Sequence, residues 1–455
     1  MQNATTIKRA TKAAELCYGL GDLASQFIWT FVGSYLTIFY TDIVGLTPAI
    51  VSVIMLVARL WDGINDPMMG LIAERTRSKF GRFRPWIAFG SPLLAIFGVL
   101  TFVNMGNGTF GIVFSAVMYI IAGMLYTAVN IPYSSLASVM TEDANQRNKI
   151  VAYRSIGMNI GMIIVNSCSA GLALYFSGPG AQVANGSGYM IVAAIYGIIS
   201  VPLFLVVFFT SKENVLPVTD MRNVSVKESI HNIVSNKYLM IVFAVMLFQM
   251  TAFMGRIAIT TYYVIYCLGA FTLIALIMTI PSIGGAISSC FVAKASEKFG
   301  KRNVLIVTLT LQGIGLLIVY FADFTNITQI IIGHCVFGIF NCGFPIVLSM
   351  VADSVDYQEL KSGVRTDGIA YATFGLSTKI GGAIGSSLGV LLISAYGYVA
   401  NQQQTPVAQN GINIAVNLIP AILFILAAVT LFLWNKKDSD FDQMRLELRS
   451  KKEVQ

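Results

Sequence analysis

Long apolar blocks alternate with short polar connections from one end of the chain to the other. Each block holds on the order of 20 residues, enough for a helix to cross a bilayer. About twelve recur, in 18–42, 49–74, 84–104, 110–140, 150–176, 187–211, 238–266, 270–293, 302–322, 327–352, 367–396 and 411–434. The pattern predicts an all-α membrane protein of twelve transmembrane helices. The fourth and eleventh blocks exceed one crossing and are expected to tilt or to extend past the bilayer.

Charge then orients the helices. Of 455 residues, 56% are hydrophobic and 11% charged, against about 25% charged in a soluble domain. The net charge of +8 would suit a nucleic-acid partner if it were clustered, but it is dealt out to every second connection. Arg75, Arg77, Lys79, Arg82 and Arg84 fill one such connection, Lys294, Lys298, Lys301 and Arg302 another. Further basic groups precede the first block and follow the last. The intervening connections (43–48, 105–109, 177–186, 267–269, 323–326 and 397–410) hold neither Lys nor Arg. That alternation places the basic connections and both termini in the cytoplasm. It calls for a lipid bilayer and gives no reason for a nucleic-acid partner.

The longest connection, 212–237, is rich in Ser, Lys and Asn and divides the blocks six and six. SKFGR at 78–82 follows the second block, and EKFGKR at 297–302 follows the eighth. A turn-forming Gly among cytoplasmic basic residues, repeated at equivalent places, argues for two parallel six-helix pseudo-repeats of the major-facilitator kind. The expected organisation is a bundle over 1–211, a linker over 212–237, a second bundle over 238–435 and a cytoplasmic tail over 436–455. Such a bundle is expected to work as a monomer. Forty Gly residues, including Gly381, Gly385 and Gly389, favour close helix packing.

Other chemistry is sparse. The six cysteines show no paired metal-ligand spacing. The first seventeen residues have no apolar core, so no cleaved signal is expected. No phosphate-binding glycine loop and no nucleophile–base constellation stands out, so neither an ATP engine, an enzyme nor a cofactor is expected. His231 lies in the linker and His334 reads as a core residue.

Ionisable groups at membrane depth carry the functional signal, because each costs about 2.5–3.5 kcal/mol on insertion scales. Asp62, Asn65 and Asp66 fall at i, i+3 and i+4 in the second block, on one helix face. Two carboxylates and an amide suit a small hard cation. Arg59, three residues earlier, reads as an ion-pair partner of Asp62. Thr127 and Asn130 share a face of the fourth block, and Asp22 and Gln26 a face of the first. Tyr18, Trp29 and Tyr126 offer rings that stack on sugars or simply fill the core. Arg154, Arg256 and Lys379 lie inside three further blocks and need partners there. Lys379 is expected to meet a carboxylate across the two halves or a substrate hydroxyl. Asp353, Asp356 and Glu359, beside Lys361 and Arg365, read as a cytoplasmic charge network.

These residues resemble the glycoside–pentoside–hexuronide:cation symporters, the family of the melibiose carrier. The likeness runs nearly end to end. Its most specific stretch is ARLWDGINDPMMG at 58–70 with RTRSKFGRFRPW at 75–86. YGLGD at 18–22, FYTDIVG at 39–45, NIPY at 130–133, DSVDY at 353–357 and Lys379 extend it. The resemblance implies a Na+ site at Asp62, Asn65, Asp66 and Thr127, with H+ as the alternative. It implies a sugar site that includes Asp22, Gln26, Tyr126, Asn130, Ser134, Arg154, Arg256 and Lys379. Gln26, Asn130 and Ser134 stand where the melibiose carrier has two aspartates and a tryptophan. An α-galactoside is therefore not the expected substrate; a xyloside, another glycoside or an acidic sugar takes its place.

The expected function is cation-coupled uptake of a glycoside or oligosaccharide by alternating access. The competing readings are proton-coupled uptake of a xyloside or hexuronide, and a transporter-like sugar sensor.

Overall fold

The computed structural model describes residues 9–141, 143–214, 235–362 and 367–453, which form helices and connections with no strand among them. The central stretch of the expected linker, with His231, and Arg365 lie outside the described residues.

After a short turn of helix at Lys12–Cys17 come α1 (Gly19–Ile38), α2 (Pro48–Arg75), α3 (Arg84–Leu100), α4 (Thr109–Met140), α5 (Ala144–Tyr175) and α6 (Gly186–Thr210). The second series is α7 (Lys237–Tyr262), α8 (Leu273–Ser289), α9 (Lys301–Tyr320), α10 (Ile327–Lys361), α11 (Asp367–Ala395) and α12 (Pro406–Leu433). A tail helix, α13 (Asp438–Glu453), closes the chain. Among the described residues, nine helices are long and apolar enough to cross a membrane, ten when α8 is joined to Val292–Phe299 across a 54° bend. The first and third expected blocks are helical but fall outside that set. α1 carries Asp22, Ser25 and Gln26, and α3 is a 17-residue helix.

Polar residues at the ends of the blocks start the helices. Thr47 with Pro48, Asp143, Asn185, Asn236, Asn326 and Thr405 with Pro406 each cap a helix N-terminus, the side-chain oxygen accepting a backbone N–H of the first turn. α10 breaks at Phe340–Cys342, so its two segments are Ile327–Ile339 and Gly343–Ser362.

The packing of α1–α6 recurs in α7–α12. α1 lies against α5 and α6, as α7 lies against α11 and α12. α3 packs on α4 and α6, as α9 packs on α10 and α12; α2 meets α4 as α8 meets α10. Glycines permit the closest of these crossings. A Cβ on Gly157 would stand 2.0 Å from the Gly19 carbonyl, and one on Gly385 2.2 Å from that of Thr251. α1 and α7 end alike, in π-helical turns at Phe39–Ile43 and Tyr263–Cys267, followed by left-handed Gly45 (φ 80°) and Gly269 (φ 65°). The two series meet along α2–α11, α5–α8 and α1–α7.

The expected charge network at the end of α10 includes two further cations, from α9 and α13. Asp353 receives Lys301 of α9 and Arg445 of α13, and Asp356 accepts from Arg445 at 2.8 Å. The tail folds back beneath α10, bringing in a cation far away in sequence.

Candidate functional site

The ion-type residues sit where α2 and α4 meet α11. Asp66 accepts from Thr127 Oγ1 at 2.9 Å and receives the Lys379 ammonium on its other oxygen. Lys379 also donates to the Asp62 carbonyl at 3.1 Å. Asp62 turns its carboxylate the other way, to Arg59 at 3.5 Å. Asn65 is buried, and its Nδ2 has no protein partner. α4 comes close here because Gly123 has no side chain; a Cβ there would lie 3.2 Å from Asp62 Oδ1. Asp66, Thr127 and Lys379 are thus drawn together from three helices, while Asp62 and Asn65 flank them. The carboxylates of Asp62 and Asp66 remain 17% and 23% accessible, and Lys379 30%. These charged groups are therefore only partly covered by protein. The donor set, carboxylate with hydroxyl and amide, suits a hard monovalent cation. No group of three or more His, Cys, Asp or Glu is placed to hold a metal among the described residues.

The sugar-type residues of α1, α4 and α5 form a second group. Asp22 is buried and takes Arg154 Nε at 2.7 Å; the other end of that guanidinium donates to Ser134 at 3.2 Å. Arg154 also covers the Tyr133 ring at 4.8 Å, and Tyr133 donates to Asp22 at 3.3 Å. Ser134 donates to Asn130 Oδ1 at 3.5 Å, and Asn130 Nδ2 donates to the Tyr126 hydroxyl at 3.4 Å. Gln26 stands apart, accepting from Thr30 on its own helix. Arg256 stands further away. It is buried between α7 and α10, over the Phe337 ring at 4.6 Å and 3.1 Å from His334 Nε2.

One residue joins the two groups. Trp29 stacks on Tyr126, ring centroids 4.3 Å apart and 15° from parallel, and Arg59 lies over the same indole at 5.5 Å. A continuous line of contacts therefore runs from Arg154 through Ser134, Asn130, Tyr126 and Trp29 to Arg59 and Asp62. The sequence offered Trp29 only as one ring among several; its i+4 spacing from Ser25 and i+3 from Gln26 gave no sign of the cation–π contact to α2.

Paired six-helix packing and ionisable groups gathered between the two series are the features of a transporter of the major facilitator type. The family model for MFS/sugar transport proteins matches residues 17–436. The chain belongs to this family, among the glycoside–pentoside–hexuronide:cation symporters, and is a multi-pass membrane protein. It is 32% identical over 440 residues to the isoprimeverose transporter of Lactiplantibacillus pentosus, covering 95% of this chain and 90% of that one. It is 28% identical over 444 residues to the glucuronide carrier protein homolog of Escherichia coli K12, covering 96% and 95%. The fold is similar to that of a D-xylose–proton symporter, at TM-score 0.67 and 15% identity over 92% of this chain and 96% of the other.

Proposed function

We propose that the protein couples the flow of a monovalent cation to uptake of a glycoside or oligosaccharide across the bacterial cytoplasmic membrane. In this reading all twelve helices span, both termini are cytoplasmic, and residues 1–211 and 238–435 rock against each other. The carrier works as a monomer with no cofactor.

The observation that carries the proposal is the line of contacts from Arg154 to Asp62. It gives the sugar-side polar groups a physical connection to the cation side. In the cycle, the cation takes the oxygens of Asp66, Asp62 and Thr127. Lys379 is displaced from Asp66, and Arg59 from Asp62. Arg59 rests on Trp29, so its release moves the indole that backs Tyr126 and Asn130. The sugar hydroxyls then find Asn130, Ser134 and the Arg154–Asp22 pair in one arrangement. Coupling of this kind is reciprocal and amounts to about 1–3 kcal/mol. Asn65 and Thr127 supply neutral oxygens, which favour Na+; H+ is the alternative, since a proton needs only a carboxylate.

A second reading concerns the substrate. Arg154 and Lys379 are both partly accessible cations, and a relative is named a glucuronide carrier protein homolog, so a hexuronide competes with a neutral xyloside. A transporter-like sensor predicts binding without flux.

Uptake into proteoliposomes, with a panel of neutral and acidic glycosides crossed with Na+, Li+ and pH gradients, tests the proposal. Accumulation driven by one cation supports it. Sugar binding with no flux under any gradient overturns it in favour of the sensor.

A further inference from the structure

The ends of α1 and α7 hold a carboxylate that plays no part in the coupling site. Asp42 lies in the π-turn that closes α1, at a connection without basic residues. Its carboxylate accepts from the hydroxyls of Tyr266, Tyr398 (2.5 Å) and Thr41. Its carbonyl accepts from Asn401 Nδ2 at 2.6 Å, and Asn401 N donates to the Tyr266 oxygen at 3.1 Å. No basic side chain pairs with Asp42 among the described residues. Three hydroxyl donors, not a cation, satisfy this charge.

Thr41 belongs to the same end of α1 as Asp42. Tyr266, Tyr398 and Asn401 all belong to the second series of helices. The contact therefore joins the two halves, and it does not stand alone. Thr37 donates to the Ala258 carbonyl at 2.7 Å, Thr261 to the Ser34 carbonyl at 3.0 Å, and Thr41 lies 2.8 Å from the Tyr262 hydroxyl. Tyr398 sits edge-on to both Tyr262 and Tyr266, at 5.3 Å each. A single buried core runs through this end, from Tyr35 and Phe39 of α1 to Tyr262 and Val264 after α7. Asn401 is the one non-glycine residue with positive φ among the described residues, 58°. That conformation costs free energy, and the bonds to Asp42 and Tyr266 hold it. Meanwhile the side chains of the Asp62–Asp66–Lys379 group stay partly exposed. The end of α1 and α7 is closed while the group between α2, α4 and α11 is not.

We propose that Asp42 is the positioning residue of the outer gate: its carboxylate gathers hydroxyls of the opposite half and holds the carrier closed on the extracellular side. The proposal rests on the transporter reading, and it makes Asp42 a gate residue, distinct from the cation ligands. The gate is cheap to open because its donors are hydroxyls that water replaces directly. A salt bridge at the same place would bring a buried guanidinium or ammonium into water at every cycle, with a larger swing in desolvation. When the halves separate, Asp42 keeps Thr41 and exchanges Tyr266 and Tyr398 for water.

Cys267 provides the test. It ends the π-turn after α7, is buried beside the gate, and lies 3.5 Å from the Gln409 carbonyl. Cys342, buried in the second core, serves as an internal control. In a variant that keeps only these two cysteines, a membrane-impermeant maleimide is added from outside and each site is read by mass spectrometry. Asp42→Asn and Tyr398→Phe are each expected to raise the labelling rate at Cys267 on the order of tenfold, the equivalent of one charge-assisted hydrogen bond, and to leave Cys342 unchanged. Unchanged labelling at Cys267 in both variants, at parental membrane levels, overturns the proposal. So does a parallel rise at Cys342, which reports general loosening. The assay needs no sugar and no cation. A carrier that moves no glycoside would therefore defeat the transport reading and leave the gate result to stand or fall separately.

Discussion

Lys379 occupies the ground that a coupling cation would take. Its ammonium lies on Asp66 and on the Asp62 carbonyl, so in the absence of a cation the carboxylate at membrane depth is already neutralised. In the proposed cycle, this pairing lets the empty carrier change orientation without exposing a bare charge to the low-dielectric interior. Lys379→Gln is expected to slow net uptake, which requires return of the empty carrier, at least several-fold more than sugar exchange, which does not. Equal loss of both would refute this role; counterflow measured beside gradient-driven uptake decides it. Asp66→Asn keeps the shape and removes the charge. Cation-stimulated accumulation is expected to disappear while facilitated exchange persists, and full accumulation by that variant would place the ion elsewhere. The i, i+3, i+4 pattern made Asp62, Asn65 and Asp66 legible in sequence, and the ion pair of Arg59 with Asp62 followed from the same spacing. Lys379 was expected to meet a carboxylate across the halves, and it takes Asp66; which carboxylate it takes, and that Trp29 links Arg59 to Tyr126, was not legible. Both depend on which helices become neighbours, and spacing within one helix carries no information about that.

At the scale of elements, the echoed SKFGR and EKFGKR segments have a common physical purpose. Gly81 (φ 107°) turns the chain so that the backbone N–H groups of Arg82 and Phe83 point at one place, and Glu213 Oε1 accepts both at 2.8 Å. A side chain at Gly81 would collide with it, a Cβ falling 2.5 Å from Glu213 Oε1. Gly300 (φ 83°) does the same before α9, where Lys301 N donates to Asp438 Oδ2 at 2.9 Å. Each carboxylate comes from the segment just after the last helix of its half and meets the N-terminus of that half's third helix, where partial positive charge favours an anion. The loops themselves were legible as a repeat. Their carboxylates were not, because Glu213 lies about 130 residues from Arg82 and Asp438 a similar distance from Lys301. Glu213→Gln and Asp438→Asn should each lower stability by about 1.5–3 kcal/mol, the range for hydrogen bonds to a charged group. The two losses should add, since the sites share no partner. Thermal unfolding in detergent reads both, and a neutral effect of either would show that the contact forms without stabilising its half.

Across the whole molecule, the halves touch, besides the α1–α7 contact, along two equivalent seams, α2 with α11 and α5 with α8. On the first, Ser52 donates to the Ser387 carbonyl at 2.9 Å. On the second, Asn166 donates to Ser282 at 3.0 Å, and the hydroxyls of Ser167 and Thr279 lie 3.0 Å apart. Apart from the Lys379–Asp66 ion pair on the first seam, these are neutral, single hydrogen bonds between small residues, worth about 0.5–1.5 kcal/mol each. In the proposed cycle, hydrogen bonds of that strength break and re-form as the halves rock. The sequence made the division into halves readable through charge alternation and the loop echo, because both are local. The seams are pairings between distant segments, and the choice of α5 for α8 has no local signature. Ser167 and Thr279 give a direct test of the rocking. Two side-chain oxygens 3.0 Å apart put their Cβ atoms near the span of a disulfide, so Ser167→Cys with Thr279→Cys should cross-link under mild oxidation. The bond would fix α5 to α8, and uptake and exchange should both fall to background, since either requires this seam to open. Reduction should restore them. Transport that continues through a fully formed cross-link would mean that α5 and α8 move as one body, and that access alternates by bending within a half instead of rocking between halves.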